Sequence, residues 1–310
     1  NTATTHFSQG LEYSRSKSRD GFADALRVAK ASDIVILFMG EEAILSGEAH
    51  CRANIDLPGC QQDLINEIAA IGKPVVLVIM AGRPLTIGSI IDKVDAILYA
   101  WHPGTMGGPA IADLLFGVEV PSGKLPVTFP KMVGQIPIYY AQKNTGKPAN
   151  PDCYVHIDDI AINAPQTSFG MSSMHLDAGF TPLFPFGFGL SYTKFAYNNI
   201  RTNTHQIKMG NTIRIEAEVT NIGTVAAEEV VQIYIRDVVA SVTRPTRELK
   251  GYKKIRLEPR QSKTARFDVH TDELALYNRN MEWSAEPGLF HAWIGGNSTA
   301  DLKTEFTLSD

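Results

Sequence analysis

The sequence predicts an α/β domain built on a mostly parallel sheet, followed by an all-β sandwich. Three features carry the prediction. Apolar runs at 33–40, 74–82 and 94–100 are short, rich in β-branched residues and nearly free of polar alternation, and helical patterns accompany them. Residues 118–190 lose both periods. From about residue 196 the apolar period becomes two, with turn signals between short runs. The expected domains are therefore 1–140 (α/β), 141–195 (an irregular connector packed on the domains) and 196–310 (β-sandwich).

Each element has its own signal. GFADALRVAKA (21–31) places Phe22, Leu26 and Ala29 on one helical face, with Arg27 and Lys30 elsewhere. DIVILFMG (33–40) follows as a strand. QQDLINEIAAIG (61–72) sets Leu64, Ile68 and Ile71 at helical spacing and stops at Gly72. PVVLVIMAG (74–82) and VDAILYA (94–100) read as buried strands, and GPAIADLLFG (108–117) as a helix closed again by glycine. Strands of this kind require a sheet covered on both faces. PSGKLPVTFP and VGQIPIYY are short extended pieces broken by proline. Residues 141–182 are rich in Asn, Pro, Ser and Gly without a period, the mark of a functional or disordered loop. FTPLFPFGFGLSYTKF (180–195) is too punctuated by Gly and Pro for a helix and too aromatic for a tether.

Further on, TIRIEAEVTN puts Ile213, Ile215, Ala217 and Val219 on one face, and VVQIYIRDV does the same with Val231, Ile233 and Ile235. KTARFDVH and GLFHAWIGG behave likewise. Asn221-Ile222-Gly223, Glu258-Pro259 and Glu286-Pro287-Gly288 supply turns. Such spacing suggests a sandwich of the immunoglobulin or fibronectin type III kind. Trp283 and Trp293 fall in strand patterns and are expected in its core rather than as a sugar platform.

The chain has 310 residues, 44% of them hydrophobic and 20% charged, values of a soluble globular protein with two domains. A net charge of −4 gives no reason to expect nucleic acid or an anionic membrane as partner. No apolar run approaches the roughly 18 residues needed to cross a bilayer. Cys51, Cys60 and Cys153 are odd in number and irregular in spacing, which argues for buried or half-buried thiols and against a disulfide framework or a zinc site. The chain opens at Asn1, with neither an initiator Met nor a leader, on a Ser-, Thr- and Arg-rich segment that reads as the interior of a processed or cut chain.

The segment GEEAILSGEAHCRANIDLPG (40–59) is the first candidate site. It lies beyond the carboxyl end of a parallel strand, where open α/β sheets bind ligands, and it carries Glu41, Glu42 and Glu48. The plain alternative is a solvated acidic loop. HPGTMGGPAIADLLFG (102–117) is a Gly-rich strand-to-helix turn without the Lys-Ser/Thr of a P-loop or a G-x-G-x-x-G, so a tight turn is the preferred reading. Ser46 with His50 invites a nucleophile and base, but G-x-S-x-G and a third group are missing. The eight histidines show no metal-ligand spacing, and neither metal nor cofactor is expected.

GEEAILSGEAHCRANIDLPGCQQDLINEIAAIGKPVVLVIMAGRPL, ILYAWHPGTMGGPAIADLLFGVEVPSGKLPVTFPKMVGQIPIYY and PLFPFGFGLSYTKF together resemble the C-terminal part of glycoside hydrolase family 3, with the nearest likeness to bacterial periplasmic β-glucosidases. The segment VVQIYIRDVVASVTRPTRELKGYKKIRLEPRQS resembles the fibronectin type III-like domain that ends those enzymes. The likeness runs from about Gly21 onward. It implies an N-terminal (β/α)8 barrel, an α/β sandwich domain and the fibronectin-like domain. The barrel of such enzymes supplies a nucleophilic Asp, usually within Ser-Asp-Trp. Here Trp101, Trp283 and Trp293 follow Ala, Glu and Ala, so the nucleophile is expected outside this chain.

The resemblance also selects among the acids. Ser46-Gly47-Glu48 matches the form that carries the acid/base in relatives, whereas Glu41, abutting the strand, is expected to orient the loop. His50 and Arg52 are expected either to contact sugar hydroxyls or to anchor the loop. The activity implied is exo-hydrolysis of terminal β-D-glucosyl residues with retention, on a β-linked gluco-oligosaccharide, in the periplasm or outside the cell, with the barrel as partner and a homodimer among the assemblies allowed. A non-catalytic carbohydrate-binding or scaffold module acting through the fibronectin-like domain is the competing function.

Overall fold

The computed structural model describes residues 3–168 and 172–310, so residues 169–171 of the expected connector lie outside the described residues. The chain forms two compact units, one of residues up to Phe116 with Phe129–Ile136, the other of Gly117–Thr128 with Pro137–Asp310.

The first unit is α/β. Strands β1 (Val35–Gly40), β2 (Val75–Met80) and β3 (Ala96–Tyr99) form a parallel sheet in the order β1-β2-β3. Helices α1 (Phe22–Lys30), α2 (Gln61–Ala69) and α3 (Gly107–Leu115) accompany them. Register runs Val35 opposite Val75 and Val76 opposite Ala96, so the three carboxyl ends lie at one edge. Phe22, Ala25 and Ala29 of α1 and Leu64, Ile65 and Ile68 of α2 are buried, as their helical spacing predicts. Leu77, Val78 and Ile79 of β2 are fully buried.

Strand β1 departs from the expectation of cover on both faces. Its burial alternates, and Ile36 and Phe38 are 39% and 55% exposed. The physical reason is position. β2 lies between two neighbours, whereas β1 is a sheet edge among the described residues, and only its Met39 side is closed over.

The second unit is a β-sandwich with an irregular preface. β4 (Phe195–Thr202), β6 (Thr212–Asn221) and β9 (Ser262–His270) make one antiparallel sheet. β5 (Gln206–Lys208), β7 (Ala227–Asp237), β8 (Glu248–Leu257), β12 (Gly288–Gly295) and β13 (Lys303–Ser309) make the other, in the order β5-β13-β12-β7-β8. β10 (Leu276–Tyr277) and β11 (Trp283–Ser284) pair as a small hairpin. Ile213, Ile215, Val219, Val231, Ile233 and Ile235 meet Phe290 and Phe306 in one core, as the period of two predicts. Burying such a side chain contributes roughly 1.5–3 kcal/mol.

Residues 137–194 hold no long helix or strand among the described residues, only short turns of 3-10 helix such as Pro151–Cys153 and Ile157–Asp159. Their aromatic part packs on the outer face of the five-stranded sheet. Tyr140 stacks on Phe186 at 4.4 Å and meets Tyr234 edge-on at 5.7 Å. Gln232 donates to the Gly187 and Gly296 carbonyls, and Tyr234 donates to Gln232. β7 is thereby buried on both faces.

Two expectations about single residues are corrected. Trp293 is buried under the Arg247 guanidinium, but Trp283 is 60% exposed and leans on the exposed Tyr277 at 4.9 Å. A two-residue strand in a separate hairpin has no opposing sheet to bury it. Cys60 is buried with its thiol on the Ser16 and Ser18 carbonyls, but Cys51 and Cys153 are exposed. Cys51 lies on the exposed loop after β1 and Cys153 ends a one-turn 3-10 helix whose residues are all exposed, so neither has a core to enter. Among the described residues no helix is long and apolar enough to cross a membrane.

Candidate active site

The segment 41–58 leaves β1 through Gly40, whose φ of +134° and close approach to the Met80 carbonyl leave no room for a side chain. The buried Gln61 at the start of α2 holds this exit. It accepts from the Gly40 amide at 2.7 Å and donates to the Gly40, Ser14 and Pro58 carbonyls, so one amide ties both ends of the loop. At the far end, Asp56 bridges to Thr86, and the Thr86 amide donates to the Ile55 carbonyl.

Glu41 is buried, its side chain fully enclosed, and its two oxygens accept from Arg52 and, at 3.0 Å, from Arg83. Arg83 also donates to the Leu45 and His50 carbonyls, and Arg52 to the Asp56 carbonyl at 2.9 Å. The acid adjoining the strand therefore organises the loop, and Arg52 serves as an anchor. Such a buried ion triad is weak evidence for stability, but losing Glu41 would cost about 3–5 kcal/mol because the two guanidinium charges are left uncompensated. Arg83 is itself held from β3: the Tyr99 hydroxyl donates to the Arg83 carbonyl and accepts from the Leu85 amide. Burial raises the Tyr99 phenol pKa and keeps it protonated as donor.

Glu42 faces away from this triad. Arg15 at 2.8 Å and Ser14 at 2.7 Å hydrogen-bond its carboxylate and lower its pKa, Arg15 first. Glu48 differs from both. It is exposed, and among the described residues its carboxylate has no hydrogen-bond or ion-pair partner. It stands between Gly47 at φ +142° and Ala49 at φ +62°, two left-handed positions that turn the chain sharply around it. His50 is exposed and its amide closes this turn onto the Gly47 carbonyl at 3.2 Å.

Ser46 meets not His50 but His102, beyond the end of β3, at 3.4 Å. A side chain at Gly82 would collide with both, so this glycine is what lets the three strand ends converge. Trp101, at φ +53°, packs on Tyr99 at 4.8 Å and on Phe129 at 6.0 Å. The Gly-rich segment after it is a tight turn: Gly104 has φ +71° and Gly107 lies against Pro103. Among the described residues no group of three or more His, Cys, Asp or Glu is placed to hold a metal ion.

Arg83, Tyr99, Gln61 and His102 escaped sequence reasoning. Arg83 had a signal: a lone cation directly beyond an all-apolar strand, next to a strand whose exit is acidic. Gln61 had none, because a Gln at a helix start is ordinarily solvated.

Comparison with known proteins places this arrangement. The profile described as glycosyl hydrolase family 3 C-terminal domain matches residues 2–192, and that of a fibronectin type III-like domain matches residues 229–298. A periplasmic beta-glucosidase of Salmonella typhimurium is 41% identical over 92% of this chain, and a beta-xylosidase of Formosa agariphila is 40% identical over 93%. These matches span 35% and 37% of the relatives' own lengths. The crystal structure of a beta-glucosidase from Listeria innocua in complex with isofagomine superposes with a TM-score of 0.85 at 34% identity, over 94% of this chain and 39% of that one. With the family's profile covering more than half of its length, this chain belongs to glycosyl hydrolase family 3 and corresponds to the C-terminal part of its members.

Proposed function

We propose that this chain is the C-terminal portion of a retaining, exo-acting β-glucosidase and that Glu48 is its general acid/base. The nucleophilic Asp would come from an N-terminal barrel domain, and the substrate would be a β-linked gluco-oligosaccharide met in the periplasm or outside the cell. The name of the Salmonella relative supports that compartment, and the prevalence of beta-glucosidases among the relatives supports glucose over xylose.

The observation that carries the assignment is the division of labour among three acids. Glu41 is committed to two arginines and Glu42 to Arg15 and Ser14, which leaves Glu48 as the carboxyl free to meet a ligand. Its loop is pinned at both ends, so the acid is presented on a short turn rather than a loose strap. A retaining glycosidase holds its two carboxyls about 5–5.5 Å apart: one attacks C1, the other protonates the leaving oxygen and later deprotonates water. His50 is near enough in sequence to contact sugar hydroxyls, while Arg52 supports the loop.

The test uses the whole enzyme. Glu48→Gln is expected to slow hydrolysis of alkyl glucosides by about 10²–10⁴-fold, because their leaving groups need a proton. With dinitrophenyl glucosides the glycosyl-enzyme should still form and accumulate. Azide should then rescue turnover and give the β-azide, since it needs no base. Equal losses for good and poor leaving groups, without azide rescue, overturn the assignment. Leaving-group dependence at Glu41→Gln or Glu42→Gln instead would move the role to that residue.

A further inference from the structure

Residues 46–49 form a short arch that carries the acid. The guanidinium of Arg83 donates to the Leu45 carbonyl on one side of it and, at 3.2 Å, to the His50 carbonyl on the other, so both feet stand on one cation. Between them the backbone takes two left-handed turns, at Gly47 and Ala49, with Glu48 in the middle. Among the described residues one side chain of the arch has a hydrogen-bond partner: the Ser46 hydroxyl meets Nε2 of His102 at 3.4 Å.

Three features show that this contact is built into the unit. Ser46 follows β1 and His102 follows β3, so the pair has to meet across the end of β2, which lies between those strands. It crosses at Gly82, where a Cβ would collide with both the Ser46 hydroxyl and the His102 ring. His102 is aimed by a backbone that needs outside support: Trp101 holds φ +53°, a conformation rare for a bulky residue, with its ring against Tyr99 at 4.8 Å and Phe129 at 6.0 Å. Strain of this kind persists where the surroundings over-determine it, and it concentrates at active sites. Tyr99 also donates to the Arg83 carbonyl. The end of β3 therefore supplies both holds on the arch, the Arg83 clamp at its feet and the His102 contact within it.

The contact's purpose follows from what the arch lacks. The Glu48 carboxylate has no partner of its own among the described residues, so its backbone alone aims it. A misplacement of about 1 Å can cost on the order of a hundredfold in rate. Fixing Ser46, two residues earlier, stops the arch from rocking on its feet. Ser46 and His102 are not themselves a nucleophile and base, because no third group orients the ring among the described residues.

We propose that His102 is a positioning residue for the general acid: through the Ser46 hydroxyl it latches the 46–49 arch and fixes the direction of the Glu48 carboxyl. The latch rests on the acid/base reading of Glu48, and its test separates the two.

In the whole enzyme, His102→Ala and Ser46→Ala should each lower kcat/KM for alkyl glucosides by about 10–100-fold, a part of the 10²–10⁴-fold that acid/base catalysis supplies. Dinitrophenyl glucosides, which leave without a proton, should lose far less. His102→Gln, whose amide reaches toward the same hydroxyl, should recover most of the activity. The losses should not add: Ser46→Ala should change little in the His102→Ala background, and His102→Ala little in the Glu48→Gln background. Gly82→Ala keeps both partners but pushes them apart, and should give the same dependence on leaving group. Hydrogen exchange of amides 46–50 reads the latch without turnover, and should quicken in His102→Ala and slow again in His102→Gln. Equal losses for good and poor leaving groups, additive losses or unaltered exchange overturn the proposal. If Glu48→Gln shows leaving-group dependence and His102→Ala does not, the latch alone is wrong. If Glu48→Gln shows none, the acid/base reading fails and the latch falls with it.

Discussion

The decisive contrasts lie in single carboxylates. Glu41, Glu42, Glu48 and Asp237 are one chemistry in four environments: enclosed with two arginines, hydrogen-bonded at the surface, exposed without a partner, and buried beside the Val239 amide and Arg244. Asp237 gives a prediction with a sign. Burial, only partly offset by the Val239 amide and Arg244 and reinforced by Glu286 and Glu248, raises its pKa from 3.8 to about 6. Between those values the unfolded chain ionises while the folded chain stays protonated, so folding loses stability as pH rises through that window and the loss is complete above it. The difference in Tm between Asp237→Asn and the parent should therefore grow from pH 4 to pH 6.5 in favour of the variant. A difference independent of pH would count against a carboxyl whose pKa burial raises. In the loop after β1, Ala49 sits at φ +62° without a glycine's freedom, so Ala49→Gly should stabilise by up to about 1 kcal/mol in urea unfolding. Arg83→Met should destabilise by about 1–3 kcal/mol, because one Glu41 oxygen loses its donor while Arg52 keeps the charge paired, and should lower kcat in the whole enzyme, because the same guanidinium holds the Leu45 and His50 carbonyls that flank Glu48.

At the scale of elements, period and punctuation were legible and cover was not. The runs 33–40, 74–82 and 94–100 became β1, β2 and β3, and the period of two located β6, β7, β9 and β12, because a strand's pattern is set by which of its faces is dry. What a run of apolar residues does not reveal is who covers it. Ile36 and Phe38 of β1 look like Val76 and Val78 of β2 in the sequence, yet the former are exposed, since a sheet edge and a sheet centre are defined by neighbours far along the chain. Trp283 was misplaced for the same reason: a two-residue strand has a strand's composition without a sheet to bury it. The polar couplings were equally hidden. Lys124, in the segment before the connector, meets Glu229 of β7 at 3.1 Å, and Tyr197 of β4 donates to the same carboxylate at 2.6 Å, across 105 and 32 residues. No spacing rule reaches that far. Because Glu229 is only 4% exposed, Lys124→Met should destabilise the second unit by about 3 kcal/mol, and the double variant with Glu229→Gln should recover much of that loss in a denaturation cycle. Strictly additive losses would show that the pair is not coupled.

For the molecule as a whole, the governing fact is length. The chain spans 35% and 37% of the two curated relatives and 39% of the Listeria enzyme, although each match covers more than nine-tenths of the chain itself. If Glu48 is the acid/base, it is half of a two-carboxyl mechanism whose first step is attack by the other half. The 310-residue chain by itself should then fail to hydrolyse even 2,4-dinitrophenyl β-glucoside. That substrate needs no proton on its leaving group, so a lone acid gives it no advantage, and the missing nucleophile becomes the sole reason for inactivity. The decisive measurement is release of dinitrophenol by the purified chain against a Glu48→Gln control, followed by addition of the segment that precedes it in the whole protein. Turnover appearing only on addition places the nucleophile there. Turnover by the chain alone that Glu48→Gln abolishes would instead mean that both carboxyls lie within these residues, and Glu48 would need a partner among the acids of its own loop. Glu41 and Glu42 are both already bound to arginine, which is the physical ground for expecting the first outcome.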